Sequence, residues 1–148
     1  MLCKGKRTDN GEWVEGYFVK YQPCASEDKF IVGIVPEYAS ALYIIEVIPE
    51  SVKRCTGLTD RNDRRIFEDD VLSVKDNGKE KYRFIVRYGN FGGVPNAPHR
   101  GYVGFYLSEA SKIAKRCMIA GMRGDILYWL GAYECEVTDN VHDNPKQP

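Results

Sequence analysis

The sequence predicts a mainly β chain that carries one substantial helix. Two Trp, ten Tyr and six Phe fall within 148 residues, many of them in short alternating or β-branched runs, which is the pattern of strands. Asn77-Gly78 separates two such runs and is a strong local hairpin signal. One segment near 108–120 breaks the strand pattern and shows helical spacing.

In chain order, residues 12–21 alternate and set Trp13, Tyr17, Val19 and Tyr21 on one face. Residues 29–35 and 42–48 are short apolar runs whose Ile and Val content favours strands. Residues 71–75 and 81–88 form the hairpin about Asn77-Gly78. Residues 89–100 hold Gly and Pro at a density that reads as a β–β connection. Residues 101–107 and 125–130 are further strand candidates, and 133–138 alternate again. Ser108 is placed to cap a helix in which Ile113 and Cys117, then Ala114 and Met118, recur at i and i+4 before Gly121 stops it. From 143 onward the chain reads as a polar tail.

Composition excludes several classes. Lys plus Arg equals Asp plus Glu at 21 each, without the basic excess usual for a polyanion binder. Apolar residues make up 43%, enough for a packed core. No apolar run reaches the roughly 18 residues of a membrane helix, and the start lacks an apolar signal region. A cytoplasmic protein without a membrane span is the expectation. The five cysteines are scattered without a Cys-x-x-Cys pair, and His99 and His142 are the only histidines. That pattern predicts no zinc site, no catalytic thiolate and reduced, space-filling thiols. Neither a dinucleotide fingerprint, nor a P-loop, nor a G-x-S-x-G elbow is present, so no cofactor and no enzymatic activity are expected.

Three blocks carry a resemblance. The opening Lys4-Gly5-Lys6-Arg7 leads through a turn to the Trp13 strand. The middle reads Val52-Lys53-Arg54-Cys55-Thr56-Gly57-Leu58-Thr59-Asp60-Arg61-Asn62, then Ile66-Phe67-Glu68-Asp69-Asp70-Val71. The close reads Glu136-Val137-Thr138-Asp139-Asn140-Val141-His142-Asp143-Asn144-Pro145. Together they resemble the YopX family, whose pattern has glycine where this chain has Asp63, Asp69 and Asp139. Aspartate tolerates a positive φ better than most residues, so the turns are expected to survive. The resemblance implies a phage- or prophage-encoded protein of unestablished role. It also implies an SH3-like small barrel in the later part. The organisation expected is an N-terminal β portion over 1–50, a barrel portion with an inserted helix over 51–142, and a tail over 143–148.

In the middle block Thr56, Gly57, Leu58 and Asp60 read as a tight turn, and Glu68 and Asp70 as the entry to a strand, with Asp70 accepting backbone hydrogen bonds. Adjacent carboxylates in such a turn diverge, so no metal is expected there. The strand over 81–88 puts Tyr82, Phe84, Val86 and Tyr88 on one face, and Lys81, Arg83, Ile85 and Arg87 on the other. With Lys4, Lys6 and Arg7 those cations make a candidate nucleic-acid patch beside aromatic rings. The first expectation is nevertheless a non-enzymatic accessory protein that binds an unidentified protein partner and forms homo-oligomers. More aromatics are present than a small β core hides, and Tyr and Trp suit interfaces. A nucleic-acid-binding small barrel is the alternative.

Overall fold

The computed structural model describes residues 1–25, 28–39, 43–91, 102–109 and 126–143. The chain is mainly β and divides into two compact units, Met1–Cys55 and Thr56–Pro148.

In the first unit, β1 (Leu2–Lys6), β2 (Trp13–Tyr21), β3 (Ile31–Pro36) and β4 (Ile45–Glu46) pair antiparallel in sequence order. The ring of pairings then closes. Ile48 donates its N–H to the Lys6 carbonyl at 2.8 Å, Thr8 donates to the Glu46 carbonyl at 3.1 Å, and Arg7 bridges Val47. These contacts cover part of the β4 edge. A 3-10 turn, Pro49–Ser51, follows. The buried Ser51 hydroxyl accepts the Lys6 N–H at 2.7 Å and donates to the Ile48 carbonyl at 2.6 Å, tying that turn to the end of β1. Cys3, Ile34 and Val47 fill the interior, with Val14, Val32 and Val52 against them. The β2–β3 contact is close enough that a Cβ on Gly16 would lie 2.1 Å from the Val35 carbonyl oxygen, so the position requires glycine.

β5 (Lys53–Thr59) begins in the first unit, pairing with β1, and ends in the second. There follow β6 (Arg65–Phe67), β7 (Asp70–Asp76), β8 (Lys79–Phe91), β9 (Tyr102–Glu109), helix α1 (Ile126–Ala132) and β10 (Glu134–Asn140). The sheet runs β10-β7-β8-β9, antiparallel throughout. One sheet face, with Leu72, Val74, Phe84, Val86, Leu107, Cys135 and Val137, packs against Ile126 and Trp129 of α1 and Ile66 of β6. Asn77 and Gly78 have φ of 51° and 74°, the double positive φ of the tight turn that matches strand twist.

Several expectations are corrected. Residues 126–130 are helix, not strand. Ile126, Trp129, Leu130 and Tyr133 are the core-facing set, and their i, i+3, i+4, i+7 spacing is that of a helix face. Ser108 lies inside β9, which runs on to Glu109, and the Ser108 hydroxyl donates to the Ile85 carbonyl at 3.3 Å. The predicted helix beyond 109 lies outside the described residues. Gly89–Phe91 belongs to β8 rather than to a connection, and the rest of that connection, like the end of the tail, lies outside the described residues. Among the described residues of the 42–48 run, strand pairing is confined to the two-residue β4 and the Val47 bridge. Thr56 to Thr59 is strand, and the turn proper starts at Asp60.

Candidate functional site

The middle block is built around two buried carboxylates. Asp60 Oδ1 accepts the N–H groups of Asn62 at 2.8 Å and Arg64 at 3.0 Å, an Asx-type turn. Its Oδ2 accepts the Val137 N–H at 2.9 Å, and Arg61 donates its own N–H to the Cys135 carbonyl at 3.1 Å. The turn over 60–64 therefore covers the outer edge of β10. Asp70 lies at the start of β7 and is wholly buried. Its Oδ2 accepts the Phe67 N–H at 2.8 Å and its Oδ1 accepts the Asn140 side-chain amide at 2.9 Å. Thr56 donates its hydroxyl to the Ile66 carbonyl at 2.8 Å and accepts the Leu58 N–H at 3.1 Å, flanking Gly57 at φ 81°. Leu58 packs on the core, while Glu68 is half-buried. The side chains of Thr56, Asp60 and Asp70 thus tie separate backbone segments of the block together, and Asp70 also takes the Asn140 amide.

The two aspartates of this block at positions where the resemblance implies glycine both adopt positive φ, 59° at Asp63 and 65° at Asp69. Asp69 holds that conformation while donating its N–H to the Val86 carbonyl, accepting the Val141 N–H, and pairing with Arg87. The third replacement, Asp139, sits at a register shift between Val137 and Asp139.

The six candidate cations fall into two sets, one in each unit. Lys81 pairs with Asp76, Arg83 with Glu80 at 3.0 Å, and Arg87 with Asp69. They lie in a mixed-charge array in which Lys75 also pairs with Glu136, and Arg61 with Glu134 at 2.6 Å. The Lys75 ammonium holds the Glu136 carboxyl below the usual carboxylate range. Hydrogen bonding to Asp76 raises the Lys81 ammonium. In the first unit Arg7 pairs with Asp9 at 2.6 Å. The ammonium groups of Lys4 and Lys6 sit 4.9 and 5.4 Å from the centre of the Trp13 ring. Lys4 is only 5% exposed.

The outward side of the first barrel is less conventional. In-register partners share a face, and Tyr17 stands opposite Leu2 and Val35, Tyr21 opposite Ile31, and Trp13 opposite Lys6. The face predicted from the alternation of β2 is thus the outer one. Tyr17, Phe18, Phe30, Tyr38 and Tyr43 are exposed, Tyr38 to 84%. The exposed charges of this unit are mostly carboxylates: Asp9, Glu12, Glu15, Asp28, Glu37, Glu46 and Glu50 against Lys20 and Lys29 among the described residues. Its other cations are half-buried or buried. Sequence reasoning named Tyr17 but missed Phe18, Phe30 and Tyr38. Tyr38 was findable, since it stands in a polar turn beside Glu37 rather than in an apolar run.

Among the described residues no three His, Cys, Asp or Glu side chains converge as a metal site would need. No helix described is long and apolar enough to cross a membrane. Compared with known proteins, residues 5–147 match the family model described as YopX protein. No curated protein and no solved structure matches the chain.

Proposed function

The chain belongs to the YopX protein family, and from that premise we propose a non-enzymatic accessory protein of phage or prophage origin, acting in the bacterial cytoplasm by binding another protein. The observation that carries the reading is the exposure of Tyr17, on the outer face of β2, together with that of Phe18, Phe30, Tyr38 and Tyr43 in the same unit. Single exposed apolar residues are ordinary, but several exposed aromatics on one small unit support the reading of an interaction surface. The buried carboxylates Asp60 and Asp70 support the same reading, because their described bonds run to backbone and amide groups rather than to one open point.

The test is cross-linking mass spectrometry of the full chain in host extract. Cross-links to partners should map to 13–46 and disappear in a Tyr17→Ser, Phe30→Ser variant that melts like the parent. Links that persist in the variant, or that map only to the second unit, would overturn the reading. Light scattering coupled to size exclusion decides whether one partner is a second copy. A mass near the 16.9 kDa chain at all concentrations would exclude that partner.

A further inference from the structure

We propose that the outward surface of the first unit takes a basic protein segment, one that presents Lys or Arg side chains between apolar residues. The inference rests on the protein-binding reading above and specifies the chemistry of the partner. Its first support is an interleaving of charge and ring. Glu15 precedes Tyr17 by two residues on the same face of β2, Asp28 precedes Phe30 by two, Glu37 adjoins Tyr38, and Glu46 follows Tyr43 by three. All eight side chains are exposed. Exposed carboxylates outnumber exposed lysines on this unit, while Lys4 is buried and Lys6, Arg7, Lys53 and Arg54 are half-buried. The outermost layer is therefore acidic and aromatic, although the chain as a whole is neutral.

A second support is that rings of this unit already hold ammonium groups. Lys4 and Lys6 lie over Trp13, and Lys20 lies 4.6 Å from the centre of the Phe30 ring. Ring faces attract cations through their quadrupole, and a neighbouring carboxylate adds to that attraction. A phosphate chain would meet the carboxylates first, and Trp13 is covered by its own lysines. A second copy laid on the same surface would set carboxylate against carboxylate. An arginine- or lysine-bearing segment meets neither penalty, and its apolar residues cover the exposed rings.

The experiment measures fluorescence anisotropy of three labelled probes against the full chain at low and moderate salt. The probes are a peptide alternating Arg with Leu and Ser, the same peptide with Glu for Arg, and an oligothymidylate. The Arg peptide should bind and weaken with salt. Tyr17→Ser and Glu46→Gln should each weaken it several-fold, and together by roughly tenfold or more. Glu134→Gln, in the second unit, should leave it unchanged, and all variants should melt near the parent. Equal binding by Tyr17→Ser would mean adventitious polycation binding and would overturn the inference. Preference for the Glu peptide, lost in Tyr17→Ser, would overturn the inference yet keep the protein-binding reading. Binding of oligothymidylate alone would overturn both. Absence of binding by all three probes would overturn the inference and leave the broader reading to the cross-linking test.

Discussion

Asp70 Oδ1 accepts the side-chain amide of Asn140 at 2.9 Å, and the two residues also stand opposite each other where β7 meets β10. Asp70 Oδ2 takes the Phe67 N–H at 2.8 Å. One buried carboxylate thus fastens the β6–β7 turn to the last strand. Asp70→Ala leaves both donors buried and unpaired, which costs about 2–4 kcal/mol. The melting temperature should fall by roughly 5–12 °C. Asp70→Asn should fall nearly as far, because its NH2 must face one of two donors. A melt within a degree of the parent would refute the role assigned to this carboxylate.

Asp60 should behave alike but affect a different edge. Its carboxylate serves Asn62, Arg64 and Val137, so either orientation of an Asn side chain sets NH2 against an N–H. Asp60→Asn is expected to cost about 1–3 kcal/mol. Amide hydrogen exchange should show where the loss falls: the Val137 N–H speeds up, while β8 amides keep their protection relative to global unfolding. Uniform acceleration of all amides, with no excess at Val137, would contradict the local account.

Asp63 and Asp69 hold positive φ at positions where the resemblance implies glycine. A left-handed conformation costs a residue with Cβ about 1–2 kcal/mol, less for Asp than for most. Glycine removes that strain but adds unfolded-state entropy. Asp63 is exposed, so Asp63→Gly should stabilise by a few tenths to about 1 kcal/mol. Asp69→Gly also loses the ion pair with Arg87 and should come out near neutral or worse. Denaturant midpoints of the two variants decide the matter, and a destabilised Asp63→Gly would show that its side chain matters more than its backbone.

Much of this architecture is readable from local pattern. The alternation of β2, the β7–β8 turn at Asn77-Gly78 and the capping role of Asp70 each follow from a few adjacent residues. The helix Ile126–Ala132 was not readable as helix, because a short apolar run satisfies both periods until its partners are known. Trp129 and Tyr133 select the helix only by meeting Tyr82 and Phe84 across the core. The closure of the first barrel depends on Ile48 and Val47 returning to Lys6 and Arg7, a pairing between residues some forty apart. The ion pairing of the candidate basic patch was hidden for a similar reason. Sequence displays Lys81, Arg83 and Arg87 in a row, while Asp76, Glu80 and Asp69 reach them only through turn and register.

The cysteines supply the last prediction. Burial, with the nearby Asp60 carboxylate adding to it, pushes the Cys135 thiol up to about 11 from an ordinary 9.0. The Cys135 thiol is buried and donates to the Trp129 carbonyl at 3.4 Å, whereas Cys24 is exposed. Thiolate is the reactive form, so native protein near pH 8 should alkylate at Cys24 well before Cys135, as peptide mapping would show. The sign of the pH dependence follows from linkage. The folded state holds the Cys135 proton more tightly than the unfolded chain, so this contribution to stability is fully present below about 9 and is lost as pH rises toward about 11. Cys135→Ala removes the group, so its denaturation midpoint should start lower, from the cavity, yet decline less steeply over that window. Parallel declines for parent and variant, or alkylation of Cys135 as fast as Cys24, would show that this thiol ionises like an exposed one.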